Sequence, residues 1–185
     1  FVKYGFKDCN SLMRLRKFVF KKISSTNDKA IELIKKGFKN GIIITDNQTK
    51  GRGRYGRNWI SLKGNLFMSV FYLMEKKNLT QLTKFNCKIV ASALRKYTKL
   101  KITIKPPNDL LYEKKKLCGI LQEIVNYKSK LFIIVGIGVN IVESPNLIKY
   151  KTTYLNKYLN RKLNKNLIFN KVKKQFETKL GFQKC

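Results

Sequence analysis

The sequence contains no histidine, a single tryptophan, three prolines and ten acidic residues among its 185 positions. Without histidine, Ser-His-Asp and Cys-His catalysis are excluded, as is any zinc site with imidazole ligands. The four cysteines, Cys9, Cys87, Cys118 and Cys185, lie far apart and form no CxxC pair. A Cys-only metal site and a disulfide scaffold are both poor fits, so no dedicated protein metal site is expected. Sparse cysteine in a chain this long points to a reducing, cytoplasmic setting; the basic, acid-poor N-terminus leaves an organellar address as the alternative. No apolar run reaches the ~20 residues that span a bilayer, so no membrane is expected.

The scarcity of acids has a counterpart: 41 Lys plus Arg give a formal charge of +31. That balance attracts polyanions or acidic protein partners. Lys, Asn and Ile are abundant together, as AT-rich codons would make them, so composition competes with electrostatics as the cause. An apolar fraction of 43% supports one domain with a real core.

Apolar spacing predicts strands at 18–22, 41–48, 65–74, 101–105 and 130–141, and helices after Ser24 and over 79–98. Thr26 or Asn27 is expected to cap the first helix and Gly37 to stop it. Residues 109–125 read as a hairpin around the charged turn Glu113–Lys115. Residues past Pro145 read as two helices joined near 160–165. That order reads as a mixed sandwich of helices packed against one sheet, without the regular βαβ alternation of a doubly wound fold, with 1–16 as an extension and 17–185 as one domain.

Four stretches could carry chemistry. In Lys50–Trp59, Gly51, Gly53 and Gly56 free the backbone to approach an anion, Arg52, Arg54 and Arg57 supply guanidinium groups, and Trp59 offers an aromatic face. A lid over an anionic, ring-bearing ligand and an RG-rich nucleic-acid arm fit that loop equally. Ser25, Thr26 and Asn27 fit either a helix cap or, with Gln48, a polar heterocycle site. Asn108 and Asp109 follow the Pro106–Pro107 turn, and Lys116 enters the apolar run Leu117–Leu121, where it requires an anionic partner unless the turn leaves it at the surface. Gly136 and Gly138 interrupt a strong strand, which signals a bulge, a ligand or a close packing contact.

In order and spacing, "STN", "QTKGRGRYGRNW", "GNLFMSV", "PNDLLYEKKKLCGIL" and "VGIGVNI" together resemble the catalytic domain of biotin–protein ligases over about 18–141. The resemblance implies an α+β fold, a mixed, largely antiparallel sheet packed against helices, of the class II aminoacyl-tRNA synthetase-like kind. It implies a ligase that joins biotin to ATP, brought with Mg²⁺, giving biotinyl-5′-AMP, and passes biotin to one lysine of a biotin carboxyl carrier domain. A homodimer through sheet edges is an option within the family; specific nucleic-acid binding is not expected. By position, Ser25, Thr26, Asn27 and Gln48 would hold the ureido ring. Gly51 to Arg54, with Arg57 and Trp59, would form the closing loop. Lys116 would bind the carboxylate and α-phosphate, with Arg54 and Asp109 beside the reaction and Asn108, Gly119 and Asn140 lining the site. Many members carry KWPND where this chain has Lys105-Pro106-Pro107-Asn108-Asp109, which removes an aromatic wall and stiffens the turn. The winged helix and small C-terminal barrel of some relatives have no counterpart in these 185 residues. Those departures motivate a degenerate, biotin-binding ligase with poor transfer as one alternative; a basic nucleic-acid-binding protein is the other.

Overall fold

The computed structural model describes residues 13–74, 79–98, 100–148 and 150–181. Among these described residues, seven strands form one sheet in the order β1-β2-β3-β7-β6-β5-β4. They are β1 Lys17–Ile23, β2 Asn40–Gln48, β3 Leu66–Leu73, β4 Thr103–Lys105, β5 Asp109–Tyr112, β6 Lys115–Tyr127 and β7 Lys130–Val139. Only β1 and β2 run parallel; every other pair is antiparallel. Three helices, α1 Thr26–Lys35, α2 Leu79–Thr98 and α3 Lys165–Gly181, pack on it. This is the expected α+β class, a mixed, largely antiparallel sheet packed against helices.

Strand alternation divides the sheet between two cores. Ile42, Ile44, Val70, Tyr72, Ile133 and Val135 pack with α2 and α3. Ile43, Phe71, Phe132 and Ile134 point the other way, against Ala30, Leu33 and Ile34 of α1. Helix α1 covers only part of that second face. Farther along the same face β7 carries Gly136 and Gly138, and β6 carries Gly119 opposite Gly138. Apolar side chains give way to bare backbone there, and the sheet becomes the floor of a cleft.

Two expectations need correction. Ser25, not Thr26 or Asn27, caps α1: its Oγ accepts from the N–H groups of Asn27 and Asp28 at 3.2 and 3.4 Å. The cap is the residue that keeps extended φ/ψ before the first helical turn, one position earlier than expected. Of the two helices expected past Pro145, only α3 forms. The first shrinks to a 3₁₀ turn at Leu155–Lys157, where Leu155 and Asn156 are buried and backbone bonds to Asn140 and Ile141 hold the chain against the sheet. Tertiary pairing outweighs the local helical pattern.

The extension expected over 1–16 lies mostly outside the described residues; within it, Leu15 is buried and its N–H donates to Glu177 at 2.9 Å. Among the described residues no helix is long and apolar enough to cross a membrane.

Candidate active site

A cleft of about 290 Å³ opens above the glycine floor. Its walls come from the α1 N-terminus, the end of β2, the arginine loop, the Pro106–Asp109 turn and the start of β6. Of the residues singled out in the sequence, Ser25, Thr26, Asn27, Gln48, Arg52, Gly53, Arg54, Arg57, Trp59, Asn108, Asp109, Lys116, Gly119, Gly136 and Gly138 all line it.

At one end stands a polar network. Gln48 Oε1 accepts from the backbone N–H and the hydroxyl of Thr26 at 2.8 and 3.0 Å. Ser69 Oγ lies 2.7 Å from Thr26 Oγ1 and donates to Asn27 Oδ1 at 2.6 Å. Asn27 Nδ2 donates to Glu123 Oε2 at 2.5 Å. Asn27 lies on β7 so closely that a Cβ at Gly136 would sit 2.4 Å from its Oδ1. Capping and site-building coexist here: Ser25 caps, while Thr26 and Asn27 turn their side chains to the cleft network.

The arginine loop is a small hairpin. Arg52 bridges to Asn58, Gly53 N–H donates to Arg57 O at 2.6 Å, and Trp59 N–H donates to Gly51 O at 2.8 Å. Its tip is a 3₁₀ turn at Arg54–Gly56 with Tyr55 at φ 56°. Arg54 donates to the Tyr55 hydroxyl at 2.8 Å and lies over its ring. Arg52 folds inward instead, pairing with Asp28 at 2.8 Å and Glu123 at 3.1 Å. The Trp59 indole lies flat on the glycine floor. A Cβ at Gly138 would come within 2.3 Å of Trp59 Cε2, and one at Gly119 within 2.6 Å of Cζ3. The glycines at 119, 136 and 138 are thus required by side chains pressed on the sheet, the packing reading of Gly136 and Gly138.

Lys116 owes its direction to a bulge. Leu110 pairs with Cys118 but Leu111 with Lys116, so Leu117 is an extra residue in β6. Leu117 and Cys118 consequently both enter the core, while Lys116 turns to the cleft beside Gly119. Its Nζ pairs with Asp109 Oδ1 at 2.8 Å and lies 5.6 and 5.3 Å from the ring centroids of Trp59 and Tyr150. The anionic partner that a half-buried Lys requires is therefore Asp109. Asn108 fixes that turn: its Nδ2 donates to Ile120 O at 2.6 Å, and its own carbonyl accepts from Ile120 N–H at 3.0 Å.

Two predicted residues fall outside the lining. Gly51 is buried at the base of the loop. Asn140 is 2% exposed and donates through Nδ2 to Thr153 O at 3.1 Å. Its parity matches Gly136 and Gly138, but β7 ends at Val139 and the chain turns away, so the alternation no longer holds. Sequence reasoning missed Asp28, Ser69, Glu123 and Tyr150. The alternation of β3 carries a signal for Ser69, the one polar residue in an otherwise buried apolar run, and on β6 Glu123 shares the parity of Gly119 and Leu121. Nothing local marks Tyr150.

Beneath the Pro106–Asp109 turn, burial, with the nearby Asp109 carboxylate, pushes the Cys87 thiol up to about 11. Burial likewise raises Cys118 well above its ordinary value. Neither is an available nucleophile. Among the described residues no group of three or more cysteines and carboxylates stands together as a metal site.

Comparison with known proteins gives a consistent answer. The bifunctional ligase/repressor BirA of Bacillus subtilis is 34% identical over 129 residues, 67% of this chain and 40% of that protein. BirA of Escherichia coli is 34% identical over 122 residues, 64% of this chain and 38% of that protein, so the chain spans about two fifths of these curated relatives. The biotin protein ligase of Aquifex aeolicus, solved with biotin and ATP, superimposes with a TM-score of 0.74 at 33% identity, covering 89% of this chain and 70% of that one. The family model for the biotin/lipoate A/B protein ligase family matches residues 19–140, more than half of the sequence. The chain belongs to the biotin/lipoate A/B protein ligase family.

Proposed function

We propose that this protein is an ATP-dependent biotin ligase that forms biotinyl-5′-AMP and transfers the biotinyl group to a lysine of a biotin carboxyl carrier domain. The observation that carries the reading is the convergence of a neutral polar pocket and a cationic pocket in one cleft, 25–27 with Gln48 at one end and Lys116 with the arginine loop at the other. Biotin has the same division: an uncharged ureido ring and a carboxylate.

The chemistry asks for little that the chain lacks. A carboxylate attacking the α-phosphate of ATP carries its own lone pair, so positioning and charge stabilisation dominate. Thr26, Asn27 and Gln48 would orient the ring through amide and hydroxyl groups. Lys116 would exchange its Asp109 partner for the carboxylate and the α-phosphate and neutralise charge as the P–O bond forms and pyrophosphate leaves. Arg54, and Arg57 beside it, would serve the phosphates. Magnesium would arrive with the nucleotide, as part of that substrate. In transfer, the target amine attacks the anhydride carbonyl and AMP departs; Asp109, freed from Lys116, is the carboxylate available for the amine's proton. Trp59 and the loop would keep water from an anhydride that hydrolyses readily.

Two measurements on the purified protein test this. Titration with biotin should show saturable binding, and labelled pyrophosphate should exchange into ATP only when biotin is present. Biotin-independent exchange, or no biotin binding, would overturn the reading. Salt-sensitive RNA binding without biotin binding would favour the nucleic-acid alternative.

A further inference from the structure

Glu123 stands on β6 outside the glycine floor, yet it touches both halves of the cleft. One carboxylate oxygen accepts from Asn27 Nδ2 at 2.5 Å. Both oxygens accept from Arg52 Nη2 at 3.1 Å. The same Arg52 nitrogen reaches Asp28 at 2.8 Å, on the first turn of α1. Asn27 Nδ2 also points at Leu121 O at 3.4 Å, leaving Oδ1 to face the Ser69 hydroxyl. One carboxylate therefore sets which way the Asn27 amide faces and holds the base of the arginine loop against the sheet.

We propose that Glu123 is a positioning residue that couples closure of the arginine loop to the ligand-recognising orientation of Asn27, with Asp28 as the second half of the Arg52 latch. The inference rests on the proposed biotin site for its ligand but not for its latch. The side chains involved are half-exposed, so the latch is weak by design: an ion pair of this kind shifts an equilibrium by a small factor. A weak latch suits a loop that must open for entry and close before chemistry. A loop held closed without ligand also spares the ligand part of the closure cost, so apparent affinity rises with the closed fraction.

Three variants separate the two tasks. Glu123→Gln keeps an acceptor for Asn27 and removes the charge that Arg52 needs. Asp28→Asn weakens the latch from the helix side and leaves Glu123 in place. Glu123→Ala removes both. Limited trypsinolysis without ligand, with first cuts at Arg52, Arg54 and Arg57 mapped by mass spectrometry, reads the latch. Cleavage there should rise by about threefold to fivefold in all three variants. Biotin affinity should fall by no more than about threefold in Glu123→Gln and Asp28→Asn but by about tenfold in Glu123→Ala, where the Asn27 amide loses its anchor. Unfolding midpoints close to wild type would separate this from a general loss of structure, and Glu123→Asp should restore part of the protection. Unchanged loop cleavage overturns the latch. Equal biotin affinity in Glu123→Gln and Glu123→Ala overturns the coupling. Failure of the wild-type protein to bind biotin would instead sink the functional reading, and the cleavage comparison would still test the latch.

Discussion

Gly138→Ala is the sharpest perturbation the floor of the cleft offers. A Cβ at that position would lie 2.3 Å from Trp59 Cε2, 2.4 Å from Cζ2 and 2.8 Å from Nε1. Carbon atoms in good contact sit about 3.5–4.0 Å apart, so the indole must rise by more than about 1 Å. Overpacking of this kind costs about 1–3 kcal/mol if the ring stays, and lifting the ring instead pulls on a loop tied through Trp59 N–H to Gly51 O at 2.8 Å. Trp59 is the only tryptophan in the sequence, so intrinsic emission reports the ring directly. The variant should emit at longer wavelength than wild type as the indole meets water. A displacement of about 1 Å in a positioning wall can cost on the order of 100-fold in activity, and biotin-dependent pyrophosphate exchange should fall by that order. A urea midpoint measured alongside separates loss of stability from loss of geometry. Unchanged emission together with unchanged exchange would refute the claim that Trp59 rests on this glycine.

Lys116→Ala should lower adenylate formation by 100-fold or more, while stripping Asp109 of its partner costs about 1–3 kcal/mol of stability, measurable as a urea midpoint. Asn65→Ala should destabilise by about 3 kcal/mol: the buried amide accepts from Ile141 and Val142 N–H at 2.8 and 3.0 Å and donates to Glu143 O at 2.8 Å, so its loss orphans several backbone groups at the exit of β7. Because the folded Cys87 thiol is raised to about 11, the folded state favours the protonated form. The stability this gives is whole below the ordinary thiol range of about 8.5 and is lost between there and pH 11, at up to about 1.4 kcal/mol per pH unit. Chemical denaturation at pH 8 and 10.5 should therefore show a steeper loss for wild type than for Cys87→Ala.

The strands and helices were largely legible, because each has a clear period and a marked end. The hairpin of β5 and β6 was legible although its turn places Glu113 and Lys114 at φ 49° and 60°, a geometry usually given to Gly or Asn. Local pattern failed where backbone pairing took over: the helix expected before residue 160 is held to a single 3₁₀ turn, with the N–H groups of Leu155 and Asn156 donating to Asn140 O and Ile141 O. The site was legible as a set of residue types, since a loop rich in arginine and glycine and a lysine at the mouth of an apolar strand are costly unless something anionic meets them. Its geometry was not. No feature of "KKLCGIL" announces that Leu117 is an extra residue, yet that bulge decides whether Lys116 meets the core or the cleft. Asn140 shows the converse, an alternation extended one residue beyond the end of its strand. Glu123 and Arg52 lie 71 residues apart, and the pairings of β2 with β3, β3 with β7 and β7 with β6 together bring them into contact.

Group transfer itself gives the most direct measurement. The purified protein is incubated with biotin, Mg·ATP and a biotin carboxyl carrier domain, and the carrier is read by intact mass. A gain of one biotinyl group per carrier is expected, abolished when biotin or ATP is withheld and strongly reduced by Lys116→Ala. A carrier of unchanged mass, from a protein that still binds biotin, would contradict the claim that this cleft is a working ligase site.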